Sequence, residues 1–166
     1  MIEQYLFAAT CLAVLVLLVL LVMRGNKKRK AVQSELGSLI DIAALPGTPI
    51  VAAAGQYVAT VFADRPLEKV VTGGLGFRGK ALLIVTDQAV GVERVGEESF
   101  VILGSALIEV TRANATIDRA VEPDGLLSLG WRLGGTEVAS QFRIDAEADT
   151  AELSVALKNL IQGGAR

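Results

Sequence analysis

The sequence predicts a mainly β domain that is held by one N-terminal transmembrane helix and capped by a C-terminal α-helix. Three observations point there. Residues 5–23 form an uncharged apolar run. From residue 50 the chain breaks into short Val-, Ile-, Leu- and Phe-rich runs separated by glycine and charged residues. The C-terminal residues carry a single apolar stripe at helical spacing. Roughly seven short strands and one amphipathic helix suggest a small barrel, or two packed sheets with an open end that the helix covers.

Tyr5 to Met23 is dominated by Leu, Val and Ala and carries no charge. At a rise of about 1.5 Å per residue it spans a hydrocarbon core, and a soluble helix is rarely apolar on every face for so long. A cleaved signal peptide wants a positive leader and a small-x-small cleavage site. Here Met1-Ile2-Glu3-Gln4 carries a negative side chain and no Ala-x-Ala ends the run, so the segment reads as an uncleaved anchor. Five of the sixteen Lys and Arg lie just after it (Arg24, Lys27, Lys28, Arg29 and Lys30) and none before it. The positive-inside rule then sets residues 1–4 outside a cell (plasma) membrane and the domain in the cytoplasm, a single-pass arrangement. The basic cluster is expected against the anionic headgroups of the bilayer, each residue giving roughly 1 kcal/mol.

Residues 24–49 read as a basic juxtamembrane segment and linker. Val32, Leu36, Leu39, Ile40 and Ala43 recur at helical spacing, which suggests a short amphipathic helix. Pro46-Gly47-Thr48-Pro49 stops it, and the domain is expected over residues 50–163.

Within the domain, Gln56 to Ala63, Lys80 to Thr86, Ala89 to Val95, Ser99 to Leu103 and Leu107 to Ala113 read as strands, with a further one around Thr116 to Ala120. Asp87-Gln88, Gly96-Glu97-Glu98 and Glu122-Pro123-Asp124-Gly125 supply turns. The last hairpin is the best determined. Leu127, Leu129, Trp131 and Leu133 alternate with Ser128, Gly130 and Arg132; Gly134-Gly135 suits a two-residue loop; and Val138, Phe142 and Ile144 alternate on the return. Folding about that loop pairs Trp131 with Val138, Leu127 with Phe142 and, on the wet face, Arg132 with Glu137. Leu153, Ala156, Leu157, Leu160 and Ile161 then mark a helix over residues 146–162. Asp149 and Glu152 suit its first turn, Asp145 could cap it one turn earlier, and Gly163-Gly164 ends it.

Charge narrows the function. From Ile50 onward eleven Lys and Arg face fifteen Asp and Glu, a net charge near −4, which argues against a nucleic-acid partner. The chain has no histidine, the commonest general base and metal ligand, and its single cysteine, Cys11, lies inside the apolar run, so no disulfide can form within the chain. The carboxylates Glu97-Glu98 and Glu122/Asp124 fall on turns, where solvated charge is the default. No Ser-His or S-x-x-K arrangement exists. No catalytic residue, cofactor, metal or small-molecule substrate is therefore expected.

Two local patterns remain. Gly74-Leu75-Gly76-Phe77-Arg78-Gly79 spells G-x-G-x-x-G, but a dinucleotide site needs the glycines to lead from a strand into a helix, and here a strand follows. The glycines are read as turn formers. Lys69, Arg78 and Lys80 bracket the same loop and could grip an anionic lipid headgroup. The plainer reading is ordinary surface charge, offset by Asp64 and Glu68. Trp131 is read as a core anchor rather than a binding hot spot.

Gly55-Gln56-Tyr57-Val58-Ala59-Thr60, then Val71-Thr72-Gly73-Gly74-Leu75-Gly76-Phe77-Arg78-Gly79-Lys80-Ala81, and the hairpin from Gly125 through Trp131 to Phe142-Arg143 resemble an actinobacterial family of small single-pass membrane proteins with a PH-like (pleckstrin-homology-like) domain. The order of anchor, basic stretch, proline-containing linker, β-domain and final helix is also similar. The resemblance implies a PH-like barrel of two nearly orthogonal sheets capped by the C-terminal helix, and no catalytic residues. Such proteins are often encoded beside pyrimidine-biosynthesis genes, which implies a protein partner without identifying it. The expectation is a membrane-tethered, non-catalytic interaction or scaffolding module. The alternative is anionic-lipid binding through Lys69, Arg78 and Lys80.

Overall fold

The computed structural model describes residues 12, 14–20, 36–113 and 126–164. Contacts divide the chain into two units, Met1–Glu35 and Leu36–Arg166. In the first, Leu12 and Val14 to Leu20 are helical, with their large apolar side chains about half exposed. Among the described residues no helix is long and apolar enough to cross a membrane. Most of the proposed span, residues 5–23, lies outside the described residues, as do the basic cluster 24–30, the strand expected at 116–120 and the turn at 122–125.

The second unit starts at Leu36, earlier than the boundary at residue 50 that the proline-rich stretch suggested. Leu36 is buried in the core, and its carbonyl lies against the hairpin tip at Gly134. Where apolar spacing suggested a helix, Ile40–Asp41 instead forms a strand, β1, which pairs with β5 (Phe100–Leu103), and a single 3-10 turn follows at Ile42–Ala44. Apolar residues at helical spacing do not make a helix at Ile40 when a sheet edge offers its backbone partners.

The remaining strands are β2 (Pro49–Phe62), β3 (Gly79–Thr86), β4 (Ala89–Arg94), β6 (Leu107–Ala113), β7 (Leu126–Leu133) and β8 (Thr136–Ile144). All pairings are antiparallel, and the order is β1-β5-β4-β3-β2-β8-β7-β6. The hairpin register is the expected one: Trp131 opposes Val138, Leu127 opposes Phe142, and Arg132 meets Glu137 at 3.4 Å. Gly134 takes φ +60°, as its loop requires.

The hydrogen-bonded ladder is one sheet rather than two. The reason is the length of β2. Residues 49–57 pair with β3 and residues 55–62 pair with β8, so one strand serves both halves, with a bulge between Tyr57 and Ala59. The sheet is also rolled. Phe100 of β5 stacks on Trp131 of β7 with ring centroids 5.9 Å apart, although five steps of the strand order separate them. Flat, those strands would lie about 24 Å apart.

The C-terminal helix α1 spans Glu147–Gly164, so Gly163 and Gly164 prolong it rather than end it. It buries Leu153, Ala156, Leu157 and Leu160, four of the five stripe residues, while Ile161 is half-buried. Leu160 packs so closely on Gly104 that a Cβ there would sit 2.9 Å from its methyl carbon.

Candidate functional site

The connection between β2 and β3 holds the glycine-rich pattern. A 3-10 turn covers Thr72–Gly74, and Gly73 and Gly74 take φ +59° and +68°, in the left-handed region. Leu75 is fully buried. The loop then enters β3 directly at Gly79, as the turn reading expects.

What fixes this loop is Arg94, which the sequence reading did not single out. Arg94 is 7% exposed. Its Nη1 donates to the Gly74 carbonyl at 3.0 Å, its Nη2 to the Gly73 carbonyl at 2.9 Å, and its Nε to the Glu98 carbonyl at 2.8 Å, with a further very short bond from Nη2 to Glu98. The guanidinium also lies 4.9 Å from the Tyr57 ring centre and 5.1 Å from that of Phe100. Burial lowers the Arg94 pKa from its ordinary value, while Tyr57, Glu97 and Glu98 oppose that shift.

A polar seam continues inward from Arg94. The Tyr57 hydroxyl donates to the Leu75 carbonyl at 2.7 Å and lies 2.6 Å from the Thr60 hydroxyl, which lies 2.6 Å from that of Ser140. Trp131 Nε1 donates to the Ser140 hydroxyl at 2.9 Å. Thr60 and Ser140 are fully buried, and among the described residues no buried side-chain polar atom lacks a partner. Burial pushes the Tyr57 phenol well above its ordinary value, against the hydrogen bond from Thr60 and the charge of Arg94. Three core strands are thus cross-linked through hydroxyls.

This geometry decides what the loop can do. A phosphate site presents backbone N–H groups to its ligand. Here the loop turns the carbonyls of Gly73, Gly74 and Leu75 inward, onto a guanidinium and a phenol of its own fold. It is a cation cradle already filled by Arg94.

The three bracketing cations take different positions. Lys69 is half-buried and forms an isolated bridge with Val61. Arg78 is exposed beside Phe77, which is 61% exposed. Lys80 is exposed on β3 opposite Gln56 and lines an open cavity of about 380 Å³ with Leu82, Glu93, Arg94 and Val95. Among the described residues no group of three His, Cys, Asp or Glu could hold a metal ion. Trp131 is 3% exposed and belongs to the core, as read from the sequence.

One signal could have found the seam. Val90, Val92 and Arg94 share a strand face, and Ser140 lies between Val138 and Phe142 on theirs. A polar residue in register with an apolar face is a buried polar residue awaiting a partner.

No curated protein sequence matches the chain. Among solved structures, a chain of the 8S snRNP assembly intermediate superposes with a TM-score of 0.52, covering 76% of this chain and 91% of that one. At 7% identity the likeness is one of fold. The family model for a bacterial PH domain-like family matches residues 36–158, beginning at the same Leu36 where the packed unit begins. With all its described strands, most of its capping helix and most of its length inside that match, this chain belongs to the bacterial PH domain-like family.

Proposed function

We propose that this protein is a membrane-anchored, non-catalytic interaction or scaffolding module, its PH-like domain on the cytoplasmic face. The observation that carries the reading is the internal use of its polar groups. The two buried titratable groups of the described core, the Arg94 guanidinium and the Tyr57 phenol, are bound to the loop carbonyls and to neighbouring hydroxyls, leaving the outer surface to bind. Anchoring is supported by the uncharged run of residues 5–23, by the helical state and exposed apolar side chains of Leu12 and Val14 to Leu20, and by the five basic residues that follow. The test is affinity purification of the full-length chain from its native membrane. A protein partner retained in high salt is the expected result; recovery of the chain alone overturns the reading.

A second reading, binding of an anionic lipid headgroup, has one observation in its favour. Arg78 and Lys80 are exposed beside Phe77 and Val95, two of the most exposed apolar residues in the domain, at 61% and 73%. Basic and apolar side chains together suit an anionic membrane surface. Vesicle co-sedimentation that collapses in high salt and in Arg78→Glu favours this reading over the first.

A further inference from the structure

The pairing of β2 leaves part of it open. On one side residues 49–57 bond to β3; on the other, β8 reaches only from Phe62 to Gly55. The Asp145 N–H then donates to the Ala54 carbonyl at 3.1 Å, and the chain turns away into α1. That bond shows which way the strand faces. The Ala54 carbonyl points to the β8 side, so by the two-residue period the N–H and C=O of Ala52 point there too, past the end of β8. Ala52 and Ala54 are both exposed. The Ala52 N–H and C=O and the Ala54 N–H have no hydrogen-bond partner among the described residues.

Alongside this edge runs a groove of about 430 Å³ between β2 and α1, walled by Ile50, Val51, Ala151 and Val155, with Glu152 and Asn159 at its rim. Ile50 and Val155 are 63% and 60% exposed, large values for aliphatic side chains. The nearby charge is net negative, with Arg143 on β8 and Lys158 on α1 as the cations. Asp145, Glu147, Asp149 and Glu152 lie between the end of β8 and the second turn of α1. Open main-chain groups, an apolar wall and an acidic rim are the three requirements for holding an extended basic segment by strand addition.

We propose that the open edge of β2 at Ala52 and Ala54 takes an extended, cationic segment of a partner protein as an added strand. Alternate side chains of that strand pack against Val51, Ala151 and Val155, and its basic residues meet the acidic rim. This inference rests on the interaction-module reading and names its surface.

The test uses the full-length chain and a fluorescent octapeptide of alternating lysine and valine, followed by anisotropy at low and high salt. Two substitutions decide it. Ala52→Pro removes the outward N–H and leaves the bonds to β3 in place, because proline is tolerated where a strand's N–H faces solvent. Val155→Lys keeps an exposed helix position in a good helix former while it removes the apolar wall and repels the peptide. Saturable binding that weakens roughly tenfold in each variant, as expected for a lost hydrogen bond or apolar contact at a binding edge, supports the proposal, as does further weakening in high salt. Equal binding by both variants overturns it and leaves the module reading standing with another surface. Absence of peptide binding overturns it as well. A wild-type dimer in sedimentation that Ala52→Pro converts to a monomer would assign the edge to a second copy of this chain and overturn the cationic-partner proposal. Failure of the module reading is distinguishable, because it appears in the purification as recovery of the chain alone.

Discussion

The guanidinium of Arg94 lies 4.9 Å from the centre of the Tyr57 ring, so a buried cation on β4 is held by an aromatic face on β2, across the intervening β3. The same guanidinium bonds the carbonyls of Gly73, Gly74 and Glu98. Removing it leaves those acceptors without their donor, and Arg94→Ala is expected to cost about 3–5 kcal/mol. Arg94→Lys is expected to recover less than half of that, because one ammonium cannot span three carbonyls in a plane. Urea unfolding of both variants checks this; equal stability of Arg94→Lys and wild type would remove the fork from the account.

Trp131→Ala is expected to destabilise the domain by about 3–5 kcal/mol, since it empties a core position stacked on Phe100 and leaves the Ser140 hydroxyl without the indole donor. A loss below about 1 kcal/mol with normal folding would return Trp131 to the surface as a binding residue.

The glycines of the loop separate by conformation. Gly74, at φ +68°, is expected to lose about 1 kcal/mol or more on replacement by alanine, with the Glu97 carboxylate also in the way of the new methyl. Gly79 is not in the left-handed region, and a Cβ there meets only the Val95 carbonyl at 3.5 Å, an ordinary contact. Gly79→Ala is therefore expected to be near neutral. Melting with millimolar ATP, GTP, NAD or a pyrimidine nucleotide is expected to be flat. A saturable rise in Tm that disappears in Gly74→Ala would identify a ligand for the loop.

The phenol of Tyr57 gives the fold an alkaline limit. Its pKa is raised above the ordinary value of 10.0 by burial, so the unfolded chain releases this proton at lower pH than the folded one. The folded state then holds more protons, and its stability, complete below about pH 10, falls as the pH rises beyond that. Tyr57→Phe is expected to flatten the decline of Tm above about pH 10 and to cost about 1 kcal/mol at neutral pH through the lost hydrogen bonds. Parallel slopes for the two proteins would remove Tyr57 as the cause.

For the orientation of the chain, a reporter fused after Arg166 is expected to be active only if it works in the cytoplasm, from the five basic residues after the apolar run and none before it. Activity of a reporter that requires export would reverse the orientation.

The hairpin around Gly134 was legible because everything that sets it is local: alternation, a loop of two glycines, and a charge pair one residue from the Trp131–Val138 pair. Helix α1 was legible for the same reason, since its stripe lies within one segment. The strand at Ile40 was not, because its partner, Val101, is remote in sequence and pairing overrode a helical spacing. The seam was missed because Arg94 and Ser140 were not singled out on their strands. Their burial depends on partners from β2, whose side-chain parity shifts at the bulge between Tyr57 and Ala59. The three cations around the loop were legible as exposed or half-exposed residues, while the Arg94 that closes the loop was not.

The use of β2 by both halves of the sheet has a consequence for synthesis. The Thr60 and Ser140 hydroxyls that join β2 to β8 are 80 residues apart in the chain. At about 5–20 residues per second, translation takes roughly 4–16 s to deliver that partner. Strands β2 to β5 form consecutive hairpins and can assemble in the meantime, bringing Tyr57 and Phe100 together. Trp131 and Phe142, which cover that pair, emerge later, ahead of α1. For those seconds the nascent chain carries a half-built sheet whose aromatic face still lacks its cover, the kind of surface that is prone to aggregate.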